Sequence, residues 1–89
     1  VTAAAGDGLT DAELAAALLP LVGGAGNVDL VTACASRLRF VLRDASARDE
    51  AAIRAVPGVV MVLTRGDQFQ VVLGARAIPV SREVQGLLG

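Results

Sequence analysis

Apolar and polar positions alternate most cleanly between Arg37 and Asp44. Leu38, Phe40 and Leu42 fall on one side, and Arg37, Arg39, Val41 and Arg43 on the other. A period of two marks a strand with one buried face. Burying the first set contributes roughly 1.5–3 kcal/mol per side chain, enough to fix the register. That register keeps Arg37 and Arg39 together on the outer face, because a slip by one residue would bury both charges. Asn27 to Ala33 also reads as a strand, with Val28, Leu30 and Thr32 on one face and Asp29, Val31 and Ala33 on the other. Cys34 sits at its end, and Ala35-Ser36 makes a tight connection into the next strand.

The flanking segments carry a longer period. Thr10-Asp11-Ala12-Glu13 matches a capping box, in which Thr10 and Glu13 satisfy each other's backbone amides. It opens a helix expected from about Asp11 to Val22, with Leu14, Leu18, Leu21 and Val22 near one face. Pro20 weakens its last turn, and Gly23-Gly24 ends it. Ser46 is a candidate cap for a short helix to about Ala55, with Asp49 and Glu50 in its first turn and Pro57-Gly58 closing it.

Val59 to Leu63 is rich in β-formers and predicts a central strand. Arg65-Gly66-Asp67 supplies a turn. Gln68 to Leu73 then alternates again, Phe69, Val71 and Leu73 against Gln70 and Val72, until Gly74. A last helix is expected from about Ile78, with Pro79 in its first turn and Val80, Val84, Leu87 and Leu88 as its buried stripe. The order is therefore helix, hairpin, helix, hairpin, helix. Closely linked strands favour an antiparallel sheet, and apolar helix faces favour packing on one side of it, giving an α+β two-layer sandwich.

Composition narrows the class. Eighty-nine residues make one domain, assigned to residues 9–89, behind a small polar stretch, Val1–Gly8, that reads as linker or tail. A chain of this size buries roughly 60–65% of its unfolded surface. The two phenylalanines are the only aromatic residues, so Val, Leu and Ile must fill the core. Net charge is −1, and all eight basic residues are arginine. That balance offers no basic face for nucleic acid. One cysteine forbids an internal disulfide, and the absence of histidine excludes a Cys/His zinc site. A reducing, cytoplasmic setting is the simpler expectation. No apolar run approaches the ~18 residues of a membrane span, and the first residues lack the basic start of a signal peptide.

The chemistry converges on Thr32–Phe40. Arg37 and Arg39 follow Cys34 at +3 and +5, and no acidic residue intervenes before Asp44. Nearby positive charge favours a thiolate, and the guanidinium fork fits phosphate oxygens. Ala33, Ala35 and Ser36 are small and leave room for a bulky anion. Turn amides there could cradle its oxygens, and the Ser36 hydroxyl could add a donor. The ordinary alternatives are a small buried cysteine and solvated strand charges. Gln70 on the polar side of its strand could likewise be simply exposed. No histidine is available to activate the thiol, and Gly23-Gly24-Ala25-Gly26 lacks the Lys and Ser/Thr of a nucleotide loop.

Cys34-Ala35-Ser36-Arg37-Leu38-Arg39 resembles the C-x-[ST]-R-L-R phosphorylation motif of IIB domains of the bacterial sugar phosphotransferase system, in the glucose/sucrose/β-glucoside superfamily. Asn27-Val28, Phe40–Asp44, Pro57-Gly58-Val59 and Gly66–Gly74 follow the same pattern in order, so the resemblance covers roughly Leu9 to Leu88. It implies a four-stranded antiparallel sheet with three helices on one face. It implies that Cys34 takes a phosphoryl group from a phosphohistidine of an EIIA domain and passes it to a sugar held by the membrane EIIC domain. Arg37 and Arg39 would steady the phosphate, with Ala35, Ser36 and Gln70 as further phosphate-binding positions. No cofactor and no metal are implied. The domain would work at the inner face of the cell membrane. The same fold also serves in regulators that are phosphorylated for signalling. Thr32 stands where glucose-type members have an acid, and Ala33 where many β-glucoside-type members have histidine, which leaves the sugar open.

Overall fold

The computed structural model describes residues 9–88. The expected linker Val1–Gly8 lies outside the described residues. Three helices and four strands follow in the order α1 (Asp11–Leu21), β1 (Val28–Ala33), β2 (Arg37–Leu42), α2 (Glu50–Arg54), β3 (Met61–Arg65), β4 (Gln68–Val72) and α3 (Ala77–Leu87). The strands form one antiparallel sheet in the order β1-β2-β4-β3. Leu38 and Phe40 of β2, Phe69 and Val71 of β4 and Val62 of β3 project from one face into the core. Leu14 and Leu18 of α1, Ile53 of α2 and Val80 and Val84 of α3 close over them. The expected α+β two-layer sandwich is the fold observed.

Local chemistry explains most boundaries. Thr10 and Glu13 form the capping box in full: the Glu13 amide donates to Thr10 Oγ1 at 3.1 Å, and the Thr10 amide to Glu13 Oε1 at 2.9 Å. The helix that follows runs to Leu21 despite Pro20, which lies in its last turn. Asn27 then fastens three segments. Its Nδ2 donates to the Val22 carbonyl at 2.7 Å and the Asp44 carbonyl at 2.9 Å, and its Oδ1 accepts from the Asp44 amide at 2.8 Å. Gly23 passes beneath this side chain at φ 103°, and a Cβ there would lie 2.6 Å from Asn27 Nδ2.

Four expectations are corrected. The alternation in β1 is broken by a bulge, since Val28 pairs with Leu42 but Leu30 with Val41. The extra residue, Asp29, shifts the phase, so Val28 joins Val31 in the core and Leu30 is 51% exposed. The cap of α2 is Asp49, which accepts from the Ala52 amide at 3.1 Å; Ser46 belongs to a 3-10 turn, Ala45–Ala47, headed by Asp44. Strand β3 starts at Met61 and lies at an edge of the sheet rather than its centre. It is apolar because Val62 faces the core while Met61 stands at the rim. In α3 Val80 and Val84 are buried as expected, with Ala77 and Ser81, and Leu88 packs half-buried against the core, but Leu87 is exposed.

Candidate functional site

Cys34, Ala35 and Ser36 link β1 to β2, and backbone hydrogen bonds shape that link. The Cys34 amide donates to the Arg37 carbonyl at 3.0 Å. The Ser36 carbonyl accepts from the Leu73 amide at 2.9 Å and the Gly74 amide at 3.0 Å, docking the loop onto the end of β4. Gly74 reaches this position at φ 68°, a left-handed conformation that suits a residue without Cβ. The amide of the same residue, Ser36, hydrogen-bonds the Cys34 sulfur.

Cys34 is half-buried and free. Its thiol pKa is lowered from the ordinary value. The Ser36 amide, hydrogen-bonded to the sulfur, is the main cause; partial burial works against it; the Arg37 amide and the Arg39 guanidinium lower it further. The site therefore stabilises a thiolate chiefly with backbone dipoles, and with one guanidinium besides.

The two arginines share the sheet face free of helices, as the β2 pattern requires, but their surroundings differ. Arg39 pairs across the ladders with Thr32 of β1 and Gln70 of β4. Its Nε is buried and has no hydrogen-bond partner among the described residues. Arg37 Nη1 instead donates to Gln70 Oε1 at 3.1 Å. Gln70 is only 3% exposed, which overturns the option of a solvated glutamine. Arg39 and Leu63 flank it in the neighbouring strands, and its Nε2 donates to Gln68 Oε1 at 3.0 Å. Ala35 is exposed at the tip of the loop. Cys34, Ser36, Arg37, Arg39 and Gln70 thus lie at one end of the sheet and on its open face.

The backbone amides of Leu73 and Gly74 and the side chain of Gln68 were not singled out from the sequence. For Gln68 a signal existed: two glutamines at i and i+2 share one face of a strand, and the neighbouring strand carries arginines on that face. Around the site, Val60 is 71% exposed and Met61 52% exposed, and both neighbour Val72 at the end of β4 next to Arg37. They form an apolar rim on the cysteine side of the domain. Arg43, just past the far end of β2, stays on the surface and pairs with Asp29 at 2.6 Å. Among the described residues no group of three or more His, Cys, Asp or Glu could hold a metal ion.

The family model described as phosphotransferase system, EIIB matches residues 16–47, which include the whole cysteine loop and both arginines. The arbutin-, cellobiose- and salicin-specific EIIBC component of the phosphotransferase system of Escherichia coli K12 is 36% identical over 77 residues, covering 86% of this chain and 16% of that protein. The chain belongs to the EIIB family of the phosphotransferase system, in its glucose/sucrose/β-glucoside class. A β-glucoside-specific EIIBCA component from Dickeya chrysanthemi is 43% identical over 76% of this EIIB chain and 11% of its own length. The chain thus spans a small part of the curated relatives it matches. A crystal structure of one domain of a IIabc component from Clostridium difficile shares the fold, with a TM-score of 0.72 at 24% identity over 88% of this chain and 78% of that one. No helix among the described residues is long and apolar enough to cross a membrane.

Proposed function

We propose that this EIIB domain is a phosphoryl carrier that moves phosphate through Cys34 from a phosphohistidine of an EIIA domain to a sugar bound by a membrane EIIC domain. The observation that carries this reading is the set of groups around one sulfur. Two backbone amides and Arg39 stabilise the Cys34 thiolate, while the buried Nε of Arg39 lacks an acceptor among the described residues. A buried donor without a partner is costly, and a phosphoryl oxygen on Cys34 would satisfy it.

The chemistry follows from that arrangement. The Cys34 thiolate attacks phosphorus, an S–P bond forms, the N–P bond breaks, and the histidine nitrogen leaves with the electron pair. In the second step a sugar hydroxyl oxygen attacks phosphorus, the S–P bond breaks, and the thiolate is regenerated. The hydroxyl proton passes to a base on the partner. Such transfers need alignment and stabilised oxygen charge rather than further covalent help. The Ser36 and Arg37 amides and Arg39 supply that stabilisation, with the Arg37 side chain held on Gln70; Ala35 lends room at the loop tip.

The apolar rim at Val60 and Met61 suits brief docking of two partners in turn, at the small end of interface sizes. The names of the relatives, EIIBC and EIIBCA components, favour transport over signalling and a site of action at the inner face of the cell membrane. The test is mass spectrometry after mixing with phosphorylated EIIA. The parent gains one phosphate, on Cys34, and Cys34→Ser gains none; equal uptake by both removes Cys34 from the mechanism.

A further inference from the structure

We infer that Gln68 is a positioning residue of the phosphoryl site, acting through Gln70 on Arg37; this rests on the carrier function proposed above. Three side chains form a directed chain. Arg37 Nη1 donates to Gln70 Oε1 at 3.1 Å, and Gln70 Nε2 donates to Gln68 Oε1 at 3.0 Å. Its direction is forced at one end, because a guanidinium has donors and no acceptor. Gln70 must therefore turn its oxygen toward Arg37 and its amino group away. That amino group belongs to a residue 3% exposed, so it needs a protein acceptor.

Gln68 supplies the acceptor. It lies two residues along β4 on the same face, half-buried, and pairs with Val41 and Arg65 in the flanking strands. Without its oxygen the buried Gln70 amino group is unpaired, and the Gln70 amide rotates or shifts to find a partner. Either movement removes the acceptor that fixes the Arg37 guanidinium on the open face of the sheet. Among the described residues the hydrogen bond of the Gln68 side chain is to Gln70, not to Cys34. Its influence on transfer passes entirely through the orientation of Arg37.

Gln68→Met keeps the length of the side chain and removes the acceptor. Gln68→Glu keeps an acceptor for Gln70 Nε2. Transfer from phospho-Cys34 to sugar is expected to slow roughly tenfold in Gln68→Met, the scale of one unpaired buried donor, and to stay near the parent rate in Gln68→Glu. In an Arg37→Leu background Gln68→Met should add nothing further, because the two changes act on one chain of contacts. NMR of the Arg37 side-chain N–H groups gives a readout independent of turnover. Those signals should sharpen toward a mobile side chain in Gln68→Met and remain restrained in Gln68→Glu. An unchanged Arg37 signal and parent-like transfer in Gln68→Met would overturn the inference. So would an effect of Gln68→Met that is fully additive with Arg37→Leu. Failure of the parent itself to carry phosphate on Cys34 would instead overturn the carrier function, while the NMR comparison would still decide the Gln68–Gln70–Arg37 linkage.

Discussion

The Ser36 carbonyl accepts a hydrogen bond from the Gly74 amide at 3.0 Å, so the loop that carries Cys34 is held by residues nearly forty positions further along the chain. The bond depends on Gly74 at φ 68°, and the space around its missing Cβ is open, with nothing within 4 Å. Gly74→Ala therefore meets backbone strain without a clash. It should cost about 1–2 kcal/mol of stability, read by urea unfolding. Phosphate acceptance at Cys34 should fall in the same variant, because the docked loop is what aims the Ser36 amide at the sulfur.

The Cys34 thiol should alkylate with a pH midpoint below that of an ordinary cysteine. Its pKa is lowered mainly by the Ser36 amide and less by Arg39. Arg39→Leu should therefore raise the midpoint part of the way, and Arg37→Leu should change it little. Rates of iodoacetamide labelling across pH measure this directly. The same shift links to stability. A cysteine whose folded pKa is depressed contributes stability that is full above its unfolded pKa and lost as pH falls through the folded value. Relative to Cys34→Ser, the parent should thus gain stability as pH rises through that window and level off above it.

Asn27 joins the end of α1, the start of β1 and the segment after β2 through bonds to Val22 and Asp44. Asn27→Leu removes all of them and leaves the part-buried Val22 carbonyl and the exposed Asp44 backbone groups to find water. A loss of about 2–3 kcal/mol is expected, scaled from about 1 kcal/mol per net hydrogen bond, and is measurable as a lower unfolding midpoint in urea. The cysteine loop is at the other end of β2, so thiol reactivity in the folded variant should match the parent.

Val60 and Met61 are large, apolar and exposed beside the site, and neither is among the buried core residues. Met61→Glu should leave unfolding free energy within about 0.5 kcal/mol of the parent, as is usual for surface changes. If the rim docks partners, KM for phosphorylated EIIA should rise while intrinsic thiol reactivity is unchanged. Steady-state transfer assays beside alkylation rates separate the two effects.

How much of this was legible in the residue order differs from element to element. The β2 pattern was unambiguous, since Leu38 and Phe40 could be buried only in a register that brings Arg37 and Arg39 to the other face. The Thr10/Glu13 cap, the turn at Gly66 and the stop at Gly74 are local chemistry and lie where expected. By contrast, β1 looked like regular alternation until the extra residue at Asp29 reset its phase, and Val62 could not reveal whether its strand lay at the centre or the edge. Bulges and strand order depend on which chain segments lie alongside one another.

The same division runs through the site. The chain by itself determined the ingredients: one thiol with Arg37 and Arg39 at strand spacing, and small residues at the turn, because those follow from identity and a period of two. Only the tertiary structure decided their roles. Gln70 became buried because Arg39 and Leu63 flank it across the sheet, Arg37 was drawn to it, and the Ser36 carbonyl was claimed by Leu73 and Gly74. Each is a contact between residues distant in sequence, and hydrogen bonds of that kind are set by strand pairing rather than by local pattern.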